Sequence, residues 1–235
     1  MDKVIEIKNL SFTYPDGHRG LSSVDLIVCP GESVAVIGPN GAGKSTLLLH
    51  LNGILRGNSA VKICGLTMEE KNLKEIRKKV GLIFQDPEDQ LFSLNVFDDV
   101  AFGPINMGYS ESEVKSHVDR ALQSVNMVGY EQRSPHHLSV GEKKRIAIAT
   151  VLSLDPEILV VDEPTSNLDP RSKWSLVELL RHLQITKIIA THDLELVRAL
   201  CHRTVVMDGG KIAADGKTEY ILGNAALLKA HGLAR

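Results

Sequence analysis

The chain has 235 residues, long enough for one large domain, or for a core plus a subdomain, around a sizeable interior. Hydrophobic residues at 43% and charged residues at 24% sit near the globular average, which excludes a disordered or fibrous chain. Lys+Arg 27 against Asp+Glu 29 leaves a net charge of −2, so no global field draws the chain to nucleic acid or to an anionic membrane.

No apolar run approaches the roughly 18–20 residues that cross a bilayer, and the longest uncharged candidate, 146–154, is too short. The start Met1-Asp2-Lys3-Val4 lacks a signal-peptide pattern, and a cytosolic location is expected. Cys29, Cys64 and Cys201 are scattered and odd in number, which argues against a disulfide framework and a zinc site.

In chain order, short apolar and β-branched runs predict strands at 4–7, 24–28, 34–37, 61–64, 82–84, 158–161, 188–190 and 204–207. Helical patterns are predicted over 44–51, 142–154, 172–183 and 194–200. A further helix carries Val114, Val118, Ala121, Leu122 and Val125 on one face. Strands alternating with helices predict a mainly parallel sheet covered on both faces. From about 86 to 137 no strand is predicted, and this stretch reads as a helical insertion. No Pro/Gly/Ser-rich linker and no fixed-period repeat divides the chain.

Gly38-Pro39-Asn40-Gly41-Ala42-Gly43-Lys44-Ser45-Thr46 matches G-x-x-x-x-G-K-[ST], with a predicted strand before it and a helix after it. Such a loop turns its backbone N–H groups inward at the positive end of a new helix. Lys44 is placed to reach the β- and γ-phosphates, and Ser45 offers a hydroxyl to Mg²⁺. The dinucleotide pattern G-x-G-x-x-G fails because position 40 is Asn. This segment reads as a nucleoside-triphosphate site.

The run 158–163 is an apolar strand ending in Asp162 and Glu163. At the strand tip Asp162 can hold Mg²⁺ through water, and Glu163 can orient or deprotonate an attacking water. Two acids after a strand often form only a solvated turn; the phosphate loop upstream is what favours the catalytic reading.

Leu138-Ser139-Val140-Gly141-Glu142-Lys143-Lys144-Arg145 opens a helix, with Ser139 and Glu142 spaced as a capping box. Lying 95 residues after Lys44 and just before the Asp-Glu strand, it resembles the LSGGQ signature of ABC-type ATPases. The order Tyr14, phosphate loop, Gln85, signature, Asp162-Glu163, Ser166-Asn167-Leu168-Asp169 and His192 is similar to that family along nearly the whole chain.

The resemblance implies an α/β fold: a P-loop NTPase core with a mixed, mainly parallel sheet, an N-terminal antiparallel β subdomain and a helical signature subdomain. It implies a single ABC ATPase domain over 1–235, with core at 1–85 and 155–235 and the helical subdomain at about 86–154. Tyr14 resembles the aromatic that stacks on adenine. Gln85 resembles the Q-loop glutamine, contacting Mg²⁺ and the lytic water. Ser139 and Gly141 resemble the residues that meet the γ-phosphate held by the opposite subunit, and Asp169 the aspartate that communicates across the dimer. His192 resembles the switch histidine near the γ-phosphate; the other eight histidines read as surface or core residues. Val140 and Glu142 depart from the family pattern, and the added charge of Glu142 is expected to be partly offset by Lys143, Lys144 and Arg145.

The stretch 86–92, Asp-Pro-Glu-Asp-Gln-Leu-Phe, followed by 96–104, resembles the ATPases of energy-coupling-factor importers, particularly the cobalt/nickel type. That implies two ATP and Mg²⁺ between two ATPase subunits, a homodimer being expected. It also implies a transmembrane coupling protein, a separate substrate-binding membrane protein, a peripheral place on the cytoplasmic face, and no nucleic acid partner. A vitamin-type importer is the alternative cargo. The rivals are a soluble non-transport ABC-type ATPase, which would carry a long coiled coil, a non-catalytic binding module, which would lack Glu163 or His192, and a plain P-loop kinase. The chain ends soon after 222–235, so a C-terminal dimerisation domain is not expected.

Overall fold

A computed structural model of the chain describes residues 3–57 and 61–234. Met1, Asp2 and Arg235, named in the readings above, lie outside the described residues. In order, the elements are β1 (Ile5–Thr13), β2 (Arg19–Val28), β3 (Ser33–Ile37), α1 (Lys44–Leu51), β4 (Val61–Ile63), β5 (Leu66–Thr67), α2 (Leu73–Lys79) and β6 (Val80–Ile83). Then follow α3 (Val96–Met107), α4 (Glu111–Ser124), α5 (Val140–Leu152), β7 (Ile158–Asp162), α6 (Pro170–His182), β8 (Thr186–Ala190), α7 (Leu194–Leu200), β9 (Arg203–Asp208), β10 (Lys211–Lys217), α8 (Thr218–Gly223) and α9 (Ala225–Ala230).

The chain divides into two compact units. The first holds the residues up to Leu82, Glu157–Glu163 and everything from Gln184 onward; the second holds Ile83–Pro156 and Pro164–Leu183.

In the first unit, a six-stranded sheet runs in the order β10-β9-β3-β8-β7-β6. Strands β9, β3, β8 and β7 are mutually parallel, and β10 closes one edge antiparallel to β9. Every residue of β3 and β8 is buried, which suits the apolar runs 34–37 and 188–190; Ser33, Thr186 and Lys187 are buried polar residues at the strand starts. Each fully buried Val, Leu or Ile contributes about 1.5–3 kcal/mol. A second, antiparallel sheet has the order β2-β1-β4-β5. Helix α1 packs against β7 and β8 and also against β2 and β4. Caught between two sheets, it buries Leu47, Leu48 and Leu51 together with Lys44, Thr46 and His50, so it lacks the one-sided apolar stripe of a surface helix.

In the second unit, α3, α4 and α5 pack on one another, and α6 packs on α5. The face of α4 carrying Val114, Val118, Ala121 and Leu122 is buried, as its spacing predicts. Between positions 86 and 137 the chain forms helices, turns and loops, and no strand.

The predicted α/β architecture with its mixed sheet, antiparallel subdomain and helical part is the one observed. Strands β5 and β10 and helices α2, α8 and α9 were not predicted, and α3 only as part of an undivided helical insertion. In β10 exposed and half-buried residues alternate, and its sequence Lys-Ile-Ala-Ala-Asp-Gly-Lys has too few large apolar groups to announce a strand; pairing with β9 decides it. The helix α3 contains Gly103 and Pro104 and is set by its Asn95 cap, whose side chain accepts the Asp98 N–H. No helix among the described residues is long and apolar enough to cross a membrane.

Candidate active site

Parallel pairing aligns Val36 of β3 with Ala190 of β8, and Ala190 with Asp162 of β7. Three loops therefore leave one edge of the sheet side by side: the phosphate loop, the Asp162-Glu163 turn and the Thr191-His192-Asp193 turn. Ligands of open α/β sheets gather at the carboxyl ends of such strands.

The phosphate loop needs glycine at two positions for separate reasons. A Cβ on Gly38 would lie 2.2 Å from the Met207 carbonyl oxygen, so the loop starts against the backbone of β9. Gly43 has φ +97° and would put a Cβ 2.6 Å from Gly20 O; only glycine supplies that conformation at the helix start. The loop is braced by Gly210 N–H donating to Ala42 O at 3.1 Å. Lys44 is 8% exposed, and its ammonium donates to Gly38 O at 2.8 Å and Pro39 O at 3.1 Å. These two carbonyls hold the charge at the mouth of the loop. Asn40, Gly41 and Ser45 are exposed there.

The hydroxyls of Tyr14 and Thr46 are hydrogen-bonded at 2.9 Å. The Tyr14 ring meets Phe12 edge-to-face at 4.9 Å and lies near-parallel to His18 at 6.2 Å. Tyr14 is thus tied to the phosphate loop, a link that sequence spacing does not reveal.

Glu163 is 8% exposed and occupies φ +42°, a left-handed conformation uncommon for a side-chain-bearing residue. Its backbone N–H donates to Ala190 O at 2.9 Å. The carboxylate accepts from the Thr191 hydroxyl at 3.0 Å and the His192 N–H at 3.1 Å, and the His192 ring Nδ1 sits 2.9 Å from Oε1. The His192 side chain is otherwise 71% exposed. Glu163 and His192, predicted separately, are a hydrogen-bonded pair, oriented by Thr191, which sequence reasoning did not single out. The only signal was its place beside His192. A carboxylate held by two donors and an imidazole has the fixed orientation that proton abstraction from water requires.

In the second unit, Ser139 caps α5, with its hydroxyl 2.7 Å and its N–H 2.8 Å from Glu142 Oε2. Tyr130 OH donates to Glu142 Oε1 at 2.8 Å. The Ser139 hydroxyl, then its N–H, then Tyr130 hold the Glu142 carboxyl below the usual carboxylate range. The expected compensation by the three basic residues needs correcting. Lys143 pairs with Glu88, Lys144 donates to Gln85 O and Ser166 Oγ, and Arg145 donates to Val125 O and Ser175. Glu142 is stabilised instead by the cap that it completes. A Cβ on Gly141 would stand 3.4 Å from Ser172, in ordinary contact.

Gln85 is exposed and lines a cleft of about 450 Å³ with Asp86, Glu88, Val140, Lys143 and Asn167. Asp169 caps α6, accepting from Arg171 N–H at 2.9 Å and Ser172 N–H at 3.1 Å. The Ser172 hydroxyl and then its N–H keep the Asp169 carboxyl below its usual range.

The sequence model of the ABC transporter family matches residues 21–166. The energy-coupling factor transporter ATP-binding protein EcfA of Carboxydothermus hydrogenoformans is 46% identical over 237 residues, covering 99% of this chain and 87% of that protein. The EcfA of Methanothermobacter thermautotrophicus is 47% identical over 232 residues, covering 96% and 75%. Among solved structures, cbiO1 of Clostridium perfringens, described as part of the ABC transporter complex cbiONQ, superposes with a TM-score of 0.85 at 35% identity, covering 99% of this chain and 96% of that one. The ATP-binding cassette MJ0796, a dimer in a post-hydrolysis state with ADP and Pi, gives 0.81 at 26% identity over 91% and 98%. By its matched residues, its near-full-length relatives and its fold, this chain belongs to the ABC transporter family, as one of its ATP-hydrolysing subunits.

Proposed function

We propose that the chain powers import by an energy-coupling-factor transporter: two copies close around two ATP, hydrolyse them and reopen, moving a membrane partner. The observation that carries the enzymatic half is the Glu163 carboxylate, held at the sheet edge by Thr191 and His192 beside the phosphate loop. Glu163 takes the proton of the attacking water, and His192 orients Glu163 and meets the γ-phosphate. Lys44 and the N–H groups of 38–46 bind the phosphates, and Tyr14 receives the adenine. Ser139 and Gly141 serve the ATP of the opposite copy, with the start of α5 adding positive potential; Asp169 links the two copies.

The donor set fits Mg²⁺, which needs few protein oxygens and keeps its remaining places for phosphates and water. Ser45 and Asp162 would hold it; the role of Gln85 toward the metal and the lytic water is proposed from its resemblance to the Q-loop glutamine. The ion would neutralise charge on the transferred phosphoryl group.

For the membrane half, the second unit exposes Phe92, Leu94, Phe102 and Ile105, at 64%, 88%, 51% and 59%. The rings of Phe92 and Phe102 meet edge-to-face at 5.1 Å. An apolar cluster of this kind marks an interaction surface, here read as the seat of the transmembrane coupling protein. On this reading the chain sits peripherally on the cytoplasmic face of the membrane. Cobalt or nickel ions are the proposed cargo, on the resemblance in 86–104 and the likeness to cbiO1.

Co-purification from detergent-solubilised membranes, with metal and cofactor analysis of the substrate-binding partner, tests the proposal. Recovery of soluble partners alone would refute the transport role, and an organic cofactor in place of metal would reassign the cargo to a vitamin.

A further inference from the structure

The loop that carries Gln85 is laced to α5 within the second unit. Gln90 Oε1 accepts the Phe84 N–H at 3.3 Å, while its Nε2 donates to Ala147 O at 2.9 Å and Thr150 Oγ1 at 2.7 Å. Lys144 Nζ donates to Gln85 O at 3.1 Å, and Lys143 pairs with Glu88 at 2.5 Å. Positions 143, 147 and 150 recur at the i, i+4, i+7 spacing of one helix face, with 144 beside them. The orientation of the Gln90 amide is set by its partners, since two oxygens face Nε2 and one N–H faces Oε1.

These ties differ in strength. The Glu88–Lys143 pair is exposed on the Glu88 side, at 66%, and an ion pair of that kind contributes little. Gln90 makes three directional bonds from a half-buried position, one to Phe84 in the loop before Gln85 and two to α5. It sits five residues after Gln85 and contacts α5 two and three turns past Ser139.

We infer that Gln90 is a positioning residue for ATP hydrolysis: it fastens the Gln85 loop to the signature helix, so that Gln85 and Ser139 move as one rigid piece. The inference rests on the roles proposed above for those two residues. Gln90 acts through the loop and the helix. Leucine in its place fills a similar volume and keeps none of the three bonds.

The test uses Gln90→Leu in the full-length chain. Turnover at saturating ATP is expected to fall about ten- to a hundredfold, as misplacement of a reacting group does, while ATP affinity stays within about twofold. Amide exchange should quicken in 84–91 and 143–150 and stay unchanged in the phosphate loop. Thr150→Val removes one acceptor of Gln90 and should slow turnover by about two- to threefold; it decides the matter where Gln90→Leu does not fold. Wild-type turnover in the folded variant overturns the inference. So does a loss of ATP affinity as large as the loss of turnover, which marks general destabilisation. Glu163→Gln measured alongside separates the two readings. Full turnover there removes the site assignment itself, whereas a slowed Glu163→Gln beside a normal Gln90→Leu removes only the role of Gln90.

Discussion

The phosphate loop and the signature segment each open a helix, and they are built on different principles. In the phosphate loop, backbone does the shaping: Gly38 lies against the Met207 carbonyl, Gly43 turns through φ +97°, and Lys44 is pinned by two loop carbonyls. In the signature, side chains do it: Ser139 and Glu142 cap each other, and Tyr130 completes the cap. Backbone packed this tightly leaves almost no room for substitution. A side-chain cap accepts exchanges that keep an oxygen in place. That difference accounts for a phosphate loop that matches its motif at every position while the signature carries Val140 and Glu142. Val140 is 43% exposed, so its side chain fills no interior space that glycine would leave empty.

The comparison predicts steep losses in the first region and graded ones in the second. The largest effect is expected beside the phosphate loop, for Glu163→Gln, which should still bind ATP but turn over about 10²–10⁴-fold more slowly, the range for loss of a general base. It should also accumulate a closed dimer with ATP, measurable by light scattering. Lys44→Ala should weaken ATP binding by about 10–10²-fold in calorimetric titration, the worth of a hydrogen bond to a charged group. Unchanged affinity would contradict the role given to its pinned ammonium.

Gly43→Ala should cost about 1–3 kcal/mol of stability in denaturant titration, because alanine meets both the left-handed backbone and Gly20 O. Ser139→Ala should cost only about 1 kcal/mol, the usual worth of an N-cap. If Ser139→Ala proved the more damaging to stability, the contrast between backbone-built and cap-built loops would fail. Val140→Gly with Glu142→Gln should alter turnover by a few-fold at most, roughly the effect of a single net hydrogen bond. Recovery of hydrolysis from undetectable levels in that double variant would mean that the signature is degenerate.

The smallest effect is a separation in pH. Burial holds the His50 imidazole below its usual 6.5; Nδ1 meets Thr46 O at 2.7 Å, and Nε2 is buried without a partner among the described residues. The unfolded chain therefore takes up that proton first, and stability at α1 declines progressively as pH falls below 6.5. Glu142 is depressed from 4.5, so its cap keeps full strength above that value and weakens only as pH falls further, through its folded pKa. Between pH 6.5 and 4.5, amide exchange corrected for its intrinsic rate should quicken in α1 before α5. His50→Leu should abolish the difference.

Local signals were legible wherever a segment's role is written in its own residues. The bounds of α1 and α7 agree with the sequence reading, the buried strands β3, β7 and β8 announce themselves as apolar runs, and the capping box of Ser139 and Glu142 follows from spacing alone. The phosphate loop, the two acids and the histidine could be named because motif chemistry requires specific residue types at fixed offsets. Long-range pairing was not legible. The polar strand β10 exists because β9 offers it hydrogen bonds. Glu163 meets Thr191 and His192 only because β7 and β8 lie parallel and in register. Lys143, Lys144 and Arg145, adjacent charges in sequence, face three different partners because a helix turns each by about 100° from the last. Sequence by itself determined which groups are present and which local turns and helices they favour, since both depend on neighbours in the chain. Tertiary structure alone decided which of those groups touch, since that depends on how distant strands and helices close on one another.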